Sequence, residues 1–150
     1  MIDTLITVIP IFVAIAALTW SVFWGVKSYQ NQMNAQLFLE FTKRFEEIMQ
    51  SFPENAWSAR TDLDDAPPPE SDELSLSALR YLNLCSEEYY LFKKRWLHKE
   101  IWGIWETELI RTLQSPLYMR EWKKLVREFD AYKEFQNYVN EIQADQDNLE

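Results

Sequence analysis

The chain has 150 residues with two glycines, seven tryptophans, one cysteine, one histidine and a formal net charge of −9. So acidic a balance excludes nucleic acid as a partner, which needs a basic footprint, and argues against the polar part lying flat on anionic lipid. The lone Cys85 excludes an intrachain disulfide framework and fits a reducing compartment, and scarce glycine with abundant aromatics favours helices over a sheet.

In chain order, the first element is the uncharged stretch from Thr4 to Val26, apolar almost throughout. As a helix rising 1.5 Å per residue it is long enough to cross a ~30 Å hydrocarbon core. No residue costing ~ +2.5 kcal/mol or more lies inside it. Pro10 falls in the first turns, where a missing N–H matters least. Trp20, Trp24 and Tyr29, with Phe23, form an aromatic belt at one end, as at a headgroup level. A cleaved signal peptide would need an early positive charge and a shorter apolar run; here the first lysine is Lys27. A buried core helix would also be apolar all round, but rarely this long or aromatic-tipped. Residues 1–28 are therefore expected to be a transmembrane anchor. Lys27, Lys43 and Arg44 follow the span and Asp3 precedes it. This bias places the N-terminus outside the inner (plasma) membrane and the remainder in the cytoplasm. Ala17, Ser21 and Gly25 recur at i, i+4, i+8, a small-residue face that lets two membrane helices pack closely. The expected partners are the bilayer and either another membrane protein or a second copy of the chain.

Residues 29–144 are expected to form a helical cytosolic domain with a loop at 53–72, followed by an acidic tail at 145–150. Ser28 to Asn34 contains no Gly or Pro and continues the helix. Phe38, Phe41, Phe45, Ile48 and Phe52 alternate at spacings of three and four, which makes one apolar stripe. The pattern lasts about two heptads, too short for a coiled coil, so the stripe packs on its own domain. Pro53 ends that helix. The loop carries Pro67-Pro68-Pro69 and several acids, and Trp57 is expected to pin it to the domain.

A central helix starts after an N-cap at Ser71 or Asp72 and runs to about Leu97. Its apolar residues occupy more than one stripe, as in the middle of a bundle. The next helix covers 101–114 with Trp102 and Trp105 on one side. Ser115-Pro116 restarts the chain for a helix over 116–129, and Asp130 caps a last one through Ile142. The fold class is all-α: a single N-terminal transmembrane helix followed by a four- to five-helix bundle.

Catalytic kits are missing from the sequence. One histidine and one cysteine make no zinc site, and Cys85 and His98 lie roughly 20 Å apart along a helix, too far for proton transfer. No phosphate-cradling glycine loop or nucleophile elbow is present. No catalytic, cofactor-binding or metal residue is expected, and no cofactor. The remaining polar constellation is Asn83 and Glu87 at i, i+4 in the most apolar helix, with Glu88 beside them. Buried, it would be either a hydrogen-bonded pair fixing helix register or a small polar pocket for a ligand or proton.

The segment Tyr81-Leu82-Asn83-Leu84-Cys85-Ser86-Glu87-Glu88-Tyr89-Tyr90-Leu91, followed by a helix carrying Trp102 and Trp105, resembles an uncharacterised family of short bacterial proteins with an N-terminal membrane helix and a Trp-rich helical cytosolic domain. The resemblance implies that architecture and no activity; some such proteins lie near phage-defence genes. The leading expectation is a membrane-anchored, non-enzymatic interaction or regulatory module, such as a small subunit of a membrane assembly. The alternatives are a ligand sensor or enzyme using an Asn83/Glu87 pocket, and a membrane-active toxin or phage-defence component.

Overall fold

The computed structural model describes residues 2–63 and 66–147. Among them there are five α-helices, two short 3₁₀ turns and no strand. The helices are α1 (Ile2–Gln50), α2 (Asp72–Lys93), α3 (Lys99–Leu113), α4 (Pro116–Leu125) and α5 (Lys133–Asp147). The chain divides into two compact units, Met1–Leu37 and Phe38–Glu150.

The first unit is helical, and one helix near the N-terminus is long and apolar enough to span a membrane. None of its apolar window is buried. Phe12, Leu18, Trp20, Val22 and Phe23 are each more than 60% exposed. Trp20 and Trp24 meet edge to face at 5.9 Å, and the Lys27 ammonium lies 5.4 Å from the Trp24 ring centroid. Ala17, Ser21 and Gly25 are also exposed.

The second unit gathers its core from all five helices. Leu74, Leu82, Leu109, Leu113, Leu117, Phe135 and Val139 are essentially inaccessible. Each such side chain contributes roughly 1.5–3 kcal/mol of apolar burial. Tyr89 sits at the centre of an aromatic group, with Trp102 and Phe135 at 5.9 Å and Tyr138 stacked at 4.5 Å. Phe41, Met49 and Phe52 are buried on this core, so the phenylalanine stripe does pack on its own domain.

Local chemistry sets the boundaries. Ser71 Oγ accepts from the Leu74 N–H (3.1 Å) to start α2, and Ser115 Oγ accepts from Tyr118 N–H (3.4 Å) with Pro116 at the first helical position of α4. α2 stops at Lys93, four residues before Leu97. Arg95 adopts φ 60°, which lets Trp96 N–H reach Leu91 O (3.0 Å) and Arg95 N–H reach Phe92 O (2.9 Å). This is a Schellman ending with arginine where glycine is usual, so no sequence signal marks it. α3 begins earlier than expected, because His98 Nδ1 accepts from Glu100 N–H (3.4 Å) and serves as the cap. α4 gives way to a 3₁₀ turn at Val126–Phe129. Asp130 does not cap α5; its carboxylate takes the Lys133 ammonium (2.7 Å) and the Gln136 amide (3.0 Å). α5 continues to Asp147, so the first residues assigned to the tail are helical, and 148–150 lie outside the described residues.

Trp57 is 58% exposed and does not pin the loop. Among the loop's described residues, Ala56, Ala59 and Pro68 are buried. The Arg120 guanidinium donates to Pro68 O at 2.6 Å, and Lys124 pairs with Glu70 at 3.0 Å. Small side chains that fit and one carbonyl that accepts a charged donor hold this segment.

Candidate functional site

Three helices of the second unit bring turn-spaced residues to one small cavity. α1 supplies Phe41, Thr42 and Phe45; α2 supplies Tyr81, Leu84 and Glu88; α3 supplies Ile104, Trp105 and Glu108. On each helix these positions are three or four apart, or adjacent, and so share a face. The cavity volume is about 220 Å³. Its wall is largely aromatic. Trp105 stacks on Phe41 at 5.5 Å and on Phe38 at 5.9 Å, and Phe45 meets Tyr81 edge to face at 6.2 Å.

Two carboxyls face this space. Glu108 is tied to the Arg60 guanidinium at 3.4 Å, and Arg60 also donates to Thr112 Oγ1 at 3.3 Å and lies 5.5 Å from the Phe45 ring centroid. Glu88 differs. It is only 7% exposed, and among the described residues its carboxyl has no hydrogen-bond partner. Burial raises its pKa; Arg44 opposes the rise and Glu87 adds to it, and the result is pushed up to about 8. In the empty cavity Glu88 is therefore mostly neutral at pH 7.

The expected Asn83/Glu87 core pair is not in the core. Asn83 and Glu87 are both exposed. The buried arc of α2 runs through Tyr81, Leu82, Leu84, Cys85, Glu88 and Tyr89, and at 100° per residue Asn83 and Glu87 fall on the other side. Apolar side chains that the fold leaves exposed, Leu76 at 48% and Tyr90 at 41%, make the helix read as buried all round. Glu87 instead pairs with Arg44 through two bonds of 2.6 and 2.9 Å. Hydrogen bonding to Glu87 raises the Arg44 pKa further above its already high value. The pair lines an open groove with Glu47, Arg80, Asn83 and Ser86. Of the three named residues, only Glu88 enters the bundle.

Cys85 is buried next to this site, and burial pushes its thiol well up, which makes it a poor nucleophile. Among the described residues there is no group of histidine, cysteine and carboxylate side chains arranged to hold a metal.

The structure also shows a buried ionic centre that sequence reasoning missed. Glu121 is fully inaccessible and accepts from Ser75 Oγ (2.7 Å), Arg120 Nε (2.9 Å) and Lys124 Nζ (3.2 Å). The only sequence signal was a glutamate one residue from Trp122 on the apolar face of α4, flanked by cations at −1 and +3.

Comparison of the chain with protein-family models, with curated proteins and with solved structures finds no match.

Proposed function

We propose that this protein is a membrane-anchored, non-enzymatic interaction or regulatory module, single-pass in the inner membrane, with the bundle on the cytoplasmic side. The observation that carries the reading is the N-terminal helix, whose apolar side chains from Phe12 to Val26 are exposed. Nine exposed large apolar residues within fifteen positions need lipid or a partner helix around them. The Trp20, Trp24 and Tyr29 belt and the Lys27 beside it suit a headgroup level, and the following Lys43 and Arg44 support the cytoplasmic assignment.

The test is membrane extraction. Full-length protein expressed in a bacterial host is expected in the carbonate-resistant pellet. Val13→Arg combined with Ile15→Arg places about 5–7 kcal/mol of insertion cost in mid-span and moves it to the supernatant or to degradation. Recovery of wild type in the carbonate wash would end the anchoring idea. Reporter fusions at the C-terminus read the orientation: a cytoplasm-active reporter is expected to work, and a reporter active only outside is expected to stay silent.

A further inference from the structure

We propose that the cavity between Phe41, Phe45, Tyr81, Trp105 and Glu88 is a binding site for a small organic ammonium ion. This goes beyond the anchoring reading and does not depend on it.

Three features converge on that ligand. The first is the wall. Four aromatic residues from three helices line one space of about 220 Å³, below the ~300 Å³ at which drug-sized sites begin. A half-open, mainly apolar recess of this size suits a compact cation, and two of its rings already hold cations, Phe41 under Arg44 at 5.2 Å and Phe45 under Arg60 at 5.5 Å.

The second is Glu88. A carboxyl in so desolvated a place is costly to ionise unless a charged donor faces it, and the Glu88 oxygens open onto the cavity rather than being sealed in the core. Glu88 is 93% buried, the complement of its 7% exposure, and lines the cavity without a hydrogen-bond partner among the described residues. An ammonium N–H placed in the cavity supplies the missing donor.

The third is the charge inventory. Around Glu88 stand Arg44 on α1, Glu87, the neutral Tyr81 and the neutral Cys85 thiol on α2, and Glu108 on α3. Arg44 is committed to Glu87, and Arg60 from the loop to Glu108. Ionised Glu88 is thus the charge left over, and a monovalent cation closes the account. An anion would meet Glu88 and Glu108, and a neutral apolar ligand would leave the carboxyl unpaired.

The proton supplies a second signature. Glu88 is protonated in the empty site near neutral pH and ionised against a bound cation. Binding near pH 7 therefore releases a proton, and affinity rises with pH until about 8, then levels.

The experiment uses full-length protein in a neutral maltoside detergent, free of quaternary ammonium headgroups. Benzylammonium and its neutral isostere benzyl alcohol are titrated by calorimetry in two buffers of different ionisation enthalpy, with tryptophan fluorescence as a parallel readout. Benzylammonium is expected to bind at least about tenfold more tightly than benzyl alcohol at about pH 8.5, with proton release at about pH 7. Glu88→Gln keeps the shape of the neutral carboxyl and is expected to reduce the preference to less than about twofold, while benzyl alcohol binding and the far-ultraviolet circular dichroism stay unchanged. Glu87→Gln, outside the cavity, is expected to retain the preference. Trp105→Leu removes part of the aromatic wall and is expected to weaken the cation more than the alcohol. Equal binding of the two probes, binding of neither at millimolar concentration, or an undiminished preference in Glu88→Gln each overturns the proposal.

Discussion

Glu88 and Glu121 are both buried carboxyls of the same bundle, and their surroundings drive them in opposite directions. At Glu121 burial alone would raise the pKa, but the bonds from Ser75, Lys124 and Arg120 outweigh it and leave the group below the usual carboxylate range. Its contribution to stability is therefore complete above the unfolded-state pKa and is lost as pH falls through the lower folded value. Glu121→Gln leaves Arg120 and Lys124 facing a neutral group, and is expected to cost about 3 kcal/mol in urea denaturation at pH 7. The difference from wild type should shrink at acid pH, where wild-type Glu121 is itself protonated. Glu88 carries the reverse sign. Its folded pKa of about 8 exceeds the ordinary 4.5, so between those values the folded state holds one more proton and stability declines as pH rises. Glu88→Gln removes that slope. It is expected to be more stable than wild type near pH 8, by on the order of 2–3 kcal/mol, and nearly equal at pH 5. A wild type whose stability is flat between those pH values would show that Glu88 is solvated. A site residue whose replacement stabilises the fold is what a ligand-directed carboxyl predicts.

At the scale of elements, the bundle depends on how the loop before α2 is attached. Among its described residues the loop has no helix or strand beyond the turn at Glu54–Ala56, and its exposed Trp57 does not anchor it. Arg60 ties the loop's first half to Glu108 and Thr112 on α3, and its second half is held by Arg120, which joins Pro68 O to Glu121, and by Lys124, which joins Glu70 to Glu121. One buried carboxylate thus organises two cations that in turn hold the loop against α4, while Ser75 connects the same carboxylate to α2. Arg120→Ala should release the segment while the aromatic core around Tyr89 persists. The expected result is faster limited proteolysis between Ala59 and Ser71 with little change in near-ultraviolet circular dichroism. Unchanged proteolysis would assign the attachment to Arg60, Lys124 and the buried Ala56, Ala59 and Pro68.

At the scale of the whole molecule, the exposed apolar helix is the largest unmet demand on the structure. Its small-residue face, Ala17, Ser21 and Gly25, offers close approach to another helix. A Cβ built on Gly25 meets nothing within 4 Å inside a single chain. Replacement there is therefore silent for the chain itself and acts through whatever packs against it. Ala17→Leu with Gly25→Leu is expected to convert a detergent-solubilised homo-oligomer to monomer by light scattering, with helicity and thermal stability of the bundle unchanged. If wild type co-purifies with another membrane protein, the same double variant should lose that protein instead. A monomer in both forms, with no companion, would leave the face without a packing role.

The local and periodic features are legible in the chain itself. The long uncharged run, the Phe38 to Phe52 stripe, the Ser71 and Ser115 caps and the all-helical class follow from spacing, hydropathy and side-chain hydrogen bonding over a few residues. Those determinants act within one or two turns, so a short stretch of sequence records them. What only the tertiary structure decided is which side of each helix faces which neighbour. Glu87 and Glu88 are adjacent in sequence and equal in chemistry, yet Glu87 pairs with Arg44 outside and Glu88 enters the bundle, because 100° of helical rotation separates them. Arg95 ends α2 in a conformation usually taken by glycine, and Glu121 is buried because Arg120, Lys124 and Ser75 arrive around it together. At Glu87, Glu88 and Glu121 the deciding neighbours include residues brought from other helices by packing, and a sequence pattern that looks balanced around a helix holds no record of which face that packing will choose.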